Sequence, residues 1–245
     1  MSFSILYLKK QIGKVLFPLG FKNKGNMFFR VVNDVFQFVV LCRTRYNCTL
    51  LFSILPLCLG IEDIDDTGYD LSTLRERTKG WWDFTEEDDP LDEIEDLLSS
   101  KVLPIFINGD NCRTAYRELV QLEKTIYTEV QGGVILHNFS FVAMCIKAQD
   151  YQNAYRHMSA ICTINERNIS IKASHMEQRG DFSGAQAYLQ KKQAKISSCR
   201  ELLRKISAPD INFLQAFICN NERISLEFIK KIDKKHGNTR GGQCT

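Results

Sequence analysis

The chain has 245 residues, 44% of them hydrophobic and 25% charged, the balance of an ordinary globular protein rather than a disordered or fibrous one. Its formal net charge is only +3, so no global basic field points to nucleic acid. Five prolines and fourteen glycines leave little chain for long flexible linkers.

The first element is an amphipathic helix, with Ile5, Leu8, Ile12, Val15 and Leu16 on one face and Lys9, Lys10 and Lys14 among them. Those lysines, and the lack of a small-residue cleavage site, argue against a targeting signal. Pro18-Leu19-Gly20 stops the helix. Three β-type runs follow, Met27 to Val32, Val35 to Cys42 and Cys48 to Leu57. Asn33-Asp34 between the first two is a tight-hairpin signal, since both residues tolerate positive φ. An antiparallel meander is expected, with the first helix covering one face. Arg43, Thr44, Arg45 and Asn47 interrupt the most apolar region and forbid a membrane span there.

Residues 61–100 carry fifteen Asp and Glu against three Lys and Arg, a local net charge of −12 between two basic flanks. Trp81-Trp82-Asp83-Phe84 lies inside this stretch. Neighbouring tryptophans point in different directions, so one of the two is expected in the core and the other at an edge or on the surface. The outer one is a candidate surface anchor. Asp89-Pro90 should open a helix whose inward stripe is Leu91, Ile94, Leu97 and Leu98, and Leu103-Pro104-Ile105-Phe106 should end it. Another helix is expected over Cys112 to Tyr127, with Ala115, Leu119, Leu122 and Ile126 inward.

Beyond Val134 the spacing is helical throughout: Phe139 to Lys147, Tyr151 to Thr163, Ile169 to Gln178, Phe182 to Ile206 and Asp210 to Lys231. Asp150-Tyr151-x-x-Ala154-x-x-x-Met158 matches Asp181-Phe182-x-x-Ala185-x-x-x-Leu189 at an offset of 31 residues. Capping Asp and small Ala at helix contacts suit stacked helical hairpins, and the pattern resembles tetratricopeptide-type pairs at a shorter period. The expected architecture is α+β: an N-terminal helix packed on an antiparallel sheet with further helices over 1–130, then an all-α helical-hairpin region over 131–235. A disordered tail is expected over 236–245.

The run Leu16-Phe17-x-Leu19-Gly20-Phe21-Lys22-x-Lys24-Gly25-Asn26-x-Phe28-x-Arg30, together with Trp82 and Val102-Leu103-Pro104, resembles a bacterial family catalogued as domain of unknown function 4304. The resemblance spans residues 3–127. It implies the same helix-and-sheet fold and a bacterial cytoplasmic setting, and, because it includes Trp82, it implies that Trp82 is the core tryptophan and Trp81 the surface one. It brings no activity, cofactor or catalytic residues.

The residues themselves present no catalytic, cofactor-binding or metal-ligating constellation. His137, His157, His175 and His236 are scattered, with no His-x-x-x-His pair, and His157 and Cys162 are only loosely spaced for a shared ligand. No phosphate-cradling glycine loop occurs, Gly132-Gly133 and Gly241-Gly242 being isolated pairs. Nine cysteines, an odd number with no Cys-x-x-Cys, read as free thiols of a reducing, cytoplasmic compartment. Cys42, Cys58, Cys145, Cys162 and Cys219 have apolar neighbours and should be buried. Cys112 stands out because it opens a helix, a place where thiols are activated.

The leading expectation is a non-catalytic protein-binding module. Its partner-binding candidates are Trp81, Glu86, Glu87, Asp88 and Asp89, which would take a basic partner, as an immunity-type protein masks a toxin. One alternative is an enzyme assembled from Cys112, His137 and nearby carboxylates. Another is nucleic-acid binding through the sheet, by Arg30, Arg43 and Arg45 with Phe28, Phe36 and Phe38; the acidic stretch would oppose it.

Overall fold

The structure is a computed structural model that describes residues 5–44, 47–62, 64, 69–74, 81–83, 91–127 and 139–234. The chain divides into two compact units, 1–131 with 221–245, and 132–220. Helix α8 (Ile211–Lys234) is therefore shared, 211–220 belonging to the helical unit and 221–234 to the sheet unit. The expected helical region, 131–235, would take in all of α8, and the division between the units instead falls within that helix.

In the sheet unit, α1 (Ile5–Leu16) buries Leu8, Ile12 and Leu16, as its spacing requires. The antiparallel sheet runs β1 (Lys22–Lys24), β2 (Met27–Val32), β3 (Val35–Arg43), β4 (Asn47–Pro56) and β5 (Tyr69–Asp70) in spatial order. Strand β6 (Trp82–Asp83) also pairs with β4. Asn33 takes φ 50° in the two-residue loop between β2 and β3, the left-handed geometry a tight hairpin needs. The register sets Phe29 opposite Phe38 and Phe36 opposite Leu55.

Both faces of the central strands are buried. On one face Phe29, Phe36, Phe38 and Leu55 join Leu57 and Ile61 around Ile229 of α8, flanked by Phe228 and Ile232. The closing helix is held by its polar residues as well. Ser225 Oγ accepts from the Ile61 N–H and donates to the Leu57 carbonyl, both at 2.7 Å, and Asn221 Nδ2 donates to the Cys58 carbonyl at 2.8 Å. Lys24 Nζ donates to the carbonyls of Ile232 and Asp233 in the last turn of α8, where a cation is favoured.

The other face carries Phe28, Gln37, Phe52 and Ile54. Phe28 meets Phe17, and Phe52 meets Phe106 edge-on at 6.5 Å between ring centroids. Helix α2 (Leu91–Leu97) buries Leu91, Ile94 and Leu97, followed by Leu98, the stripe its spacing predicts. Leu103-Pro104 does not end this helical path. A π turn over Leu98–Val102 leads directly into α3 (Leu103–Asn108), the Leu103 N–H donating to the Leu98 carbonyl. Pro104 lacks an N–H and crowds the preceding turn, and a widened turn accommodates it without stopping the helix. Helix α4 (Cys112–Tyr127) follows, with Cys112, Ala115, Leu119 and Leu122 buried.

The helical unit contains α5 (Phe139–Lys147), α6 (Tyr151–Gln178), α7 (Phe182–Ser207) and the start of α8. The two expected segments within 151–178 are one continuous helix. Its junctions repeat. Asp150, Asp181 and Asp210 each open the next helix, accepting through Oδ1 from the N–H of Asn153, Gly184 and Phe213. Each of the three also donates its own N–H to the carbonyl five residues earlier, on Cys145, Met176 and Lys205. Ala154 and Ala185 are buried as the matched motif requires, whereas Leu189 is 39% exposed. The proposed tail, 236–245, and Asp89-Pro90 lie outside the described residues.

Gly109 packs so closely that an added Cβ would stand 2.7 Å from Ile54 Cδ1 and 2.8 Å from the Ile105 carbonyl. Gly109→Ala should cost about 1–3 kcal/mol of stability in a denaturant melt, from overpacking against backbone. Gln149 sits at φ 58° just before the Asp150 cap. Gln149→Gly should leave stability unchanged or raise it by up to about 1 kcal/mol, relief of left-handed strain outweighing the backbone entropy lost. Hydrogen bonds from the Asn153 side chain, then from its N–H, hold the Asp150 carboxyl below its ordinary range. A depressed carboxylate contributes stability above its unfolded-state pKa and loses it as pH falls through the folded one. Thermal melts should show that acid-limb loss shrinking in Asp150→Asn, where the cap survives without its charge.

Candidate functional site

Trp81, in the bend before β6, and Trp82, its first residue, diverge. Trp82 is fully buried, pairs with Cys48 across the sheet, and donates Nε1–H to Glu93 Oε2 of α2 at 2.9 Å. Trp81 is half-buried, and its Nε1–H goes to Asp70 Oδ2 at 2.8 Å. Asp70 Oδ1 receives Thr49 Oγ1 and, at 2.9 Å, the Ser72 N–H, so this carboxylate organises the end of β5. Glu86, Glu87, Asp88 and Asp89 lie outside the described residues. The acidic stretch is nonetheless represented by α2, whose buried stripe leaves Asp92, Glu95 and Asp96 fully outward.

Of the residues of the enzyme alternative, Cys112 is described. His137 lies outside the described residues. Cys112 is 4% exposed, and the N–H groups of its helix start are already committed. Its own N–H donates to Asp34 Oδ1 at 2.9 Å, and those of Arg113 and Thr114 both donate to Asn111 Oδ1 at 3.1 Å. A helix start whose donors are satisfied internally has little left to stabilise an anion. The neighbour that sequence spacing could not reveal is Cys58, whose Sγ stands 3.7 Å from that of Cys112.

Other thiols follow burial. Cys42, Cys58, Cys145 and Cys162 are buried as expected, but Cys219 is exposed, because its apolar neighbours on α8 alternate around the helix. Burial, with Cys199 alongside, pushes the Cys162 thiol up to about 11. His157 packs against the Phe141 ring inside the helical unit. No cluster of three or more His, Cys, Asp or Glu able to hold a metal ion occurs among the described residues. Nor is any described helix long and apolar enough to cross a membrane.

The sheet offers no stacking platform through the expected aromatics. Phe28, Phe36 and Phe38 are each at most 1% exposed. Arg30 is turned inward, donating to Gln37 Oε1 at 2.7 Å and to the carbonyls of Leu19 and Phe106, with its guanidinium 4.9 Å from the Phe21 ring centroid. Arg43 is exposed, and Arg45 lies outside the described residues.

A different charged surface, absent from the sequence reading, lies on α6 and α7. Lys172 and Lys192 place their ammonium groups 5.2 Å and 5.8 Å from the Tyr188 ring centroid. Lys191 and Lys195 are exposed one turn apart on α7. No Asp or Glu occurs in residues 167–176 or 182–200. The facing positions on two helices, rather than any run in the chain, create this face.

No family model, curated protein or solved structure matches this chain, and the resemblance of residues 3–127 rests on the motifs quoted for it.

Proposed function

We propose that the protein is a non-catalytic protein-binding module whose acidic stretch, 61–100, docks a basic partner. The observation that carries this reading is the outward acidic face of α2. Four apolar residues anchor the helix, and Asp92, Glu95 and Asp96 are left exposed at i, i+3 and i+4. Glu86 to Asp89 extend the same charge along the chain, and Trp81 stands beside it as an aromatic contact. Such a field raises encounter rates with cationic partners and discriminates against anionic ones. An immunity-type protein masking a basic toxin is one concrete form, in a bacterial cytoplasm as the family resemblance implies.

Calorimetric titration of a lysine-rich peptide should show binding that weakens at least about tenfold between about 50 and 300 mM salt, as screening shortens the field. Reversal of Asp92, Glu95 and Asp96 to Lys should produce a similar loss, as should reversal of Glu86 to Asp89. An affinity indifferent to both reversals, in variants with an unchanged melting curve, would defeat the reading.

A further inference from the structure

We propose that the face of α6 and α7 centred on Tyr188 is a docking surface for an acidic protein segment, and that its occupant is the acidic stretch of a second copy of this chain. The inference rests on the reading above, that 61–100 is a docking element, and names its partner.

The face is built from two helices in register. α6 and α7 run antiparallel about the Arg179–Gly180 turn, which brings Lys172 across from Tyr188 and Lys192. The tyrosine ring thus gathers ammonium groups from both helices, at 5.2 and 5.8 Å from its centroid, and an arriving carboxylate meets cations from each. Lys191 and Lys195 add two exposed charges one helical turn apart. The pairing Arg200–Glu166, at 2.8 Å, lies further along the helices, and no carboxylate intrudes in 167–176 or 182–200. Exposed Ile171 supplies apolar contact at the margin.

Its complement is present in the same chain. Asp92, Glu95 and Asp96 also span one helical turn, so carboxylates on α2 match the spacing of ammonium groups on α7. The acidic stretch carries −12 in a chain whose total is +3, so head-to-tail contact between copies sets opposite charges against one another. A contact between two different patches is heterologous, and it produces rings or open chains instead of a symmetric pair.

Sedimentation velocity on the full chain tests this. Wild-type protein should associate with concentration at about 50 mM salt and dissociate at about 500 mM, where charges are screened within a few ångströms. Lys172→Glu/Lys191→Glu/Lys195→Glu should sediment as a monomer, and so should Asp92→Lys/Glu95→Lys/Asp96→Lys. An equimolar mixture of the two variants should associate again, because each restores the complement the other lost, and this recovery also certifies that both are folded. Wild-type protein that stays monomeric at low salt, or a mixture that fails to recover, overturns the inference. So does a monomer that instead shifts single-stranded RNA in a manner abolished by the Lys→Glu changes. If the chain is monomeric while reversal on α2 still abolishes lysine-rich peptide binding, only the self-association fails. If peptide binding ignores the reversal, the underlying reading fails with it.

Discussion

A sheet covered on both faces buries polar groups that need partners, and in this protein the amide that meets this demand most fully is Gln37. Ser53 Oγ and Asn47 Oδ1 on β4, by contrast, are left without a partner among the described residues. Gln37 is completely buried in β3. Its Nε2 donates to the carbonyls of Phe106 and Gly109 at 2.8 and 3.0 Å, while Oε1 accepts from Arg30 at 2.7 Å. The carbonyls it reaches belong to the end of α3, where intrahelical partners run out. Arg30 in turn secures the Leu19 carbonyl at the turn after α1. One amide thus holds α3 and, through arginine, the first turn of the chain against the sheet. Leaving such groups unpaired in the interior would cost about 1–3 kcal/mol each, comparable with a sizeable part of a domain's net stability. Burial lowers the Arg30 pKa, with Asp110 opposing the effect. The guanidinium is therefore a structural donor whose charge is tolerated, and its position in a Gly-Phe-Lys-rich segment reflects packing.

The opposite face is closed by a helix from the far end of the chain. Strands alone would leave Phe29, Phe36 and Phe38 exposed, and truncating any one of such buried aromatics to Ala costs about 3–5 kcal/mol in well-packed cores. α8 supplies Ile229 to that cluster and hydrogen-bonds the Leu57–Ile61 turn through Ser225 and Asn221. Ser225 and Asn221 look like unremarkable interruptions in an amphipathic helix, because their partners are more than 160 residues away in sequence. Periodicity identifies which residues of α8 turn inward. It carries no information about which surface they meet.

Elements governed by neighbours in the chain were legible. The helix over 112–127 and the Asn33-Asp34 hairpin each follow from local geometry, whereas alternation requires only that Trp81 and Trp82 diverge and does not say which is buried. The junctions in the helical unit were half legible. Asp150 and Asp181 match at 31 residues, but Asp210 comes 29 residues later, with Leu214 where the others have Ala and Pro209 replacing the left-handed residue. The shared hydrogen bonds unite three junctions that residue identity separates. Pro104 misled for a related reason: a proline signals trouble for the α-helical ladder, and a π turn is one of several answers to it. The Cys58–Cys112 contact and the lysine-flanked Tyr188 were invisible, since both arise from chain segments brought together only by tertiary packing.

Charge is arranged independently of these core demands. On α2 the apolar positions recur every three or four residues, so carboxylates at Asp92, Glu95 and Asp96 occupy the sites that packing does not use. On α7 the buried positions Ala185, Leu202 and Ile206 leave the lysines equally unconstrained. Neither surface is required to complete a core, and like charges crowded on one face reduce stability slightly through repulsion. A helix that needed only solubility would mix signs along its exposed positions, gaining i, i+4 ion pairs as Arg223 and Glu227 do on α8. The separation of acidic from basic faces therefore works against the stability of the lone chain, and core packing does not account for it.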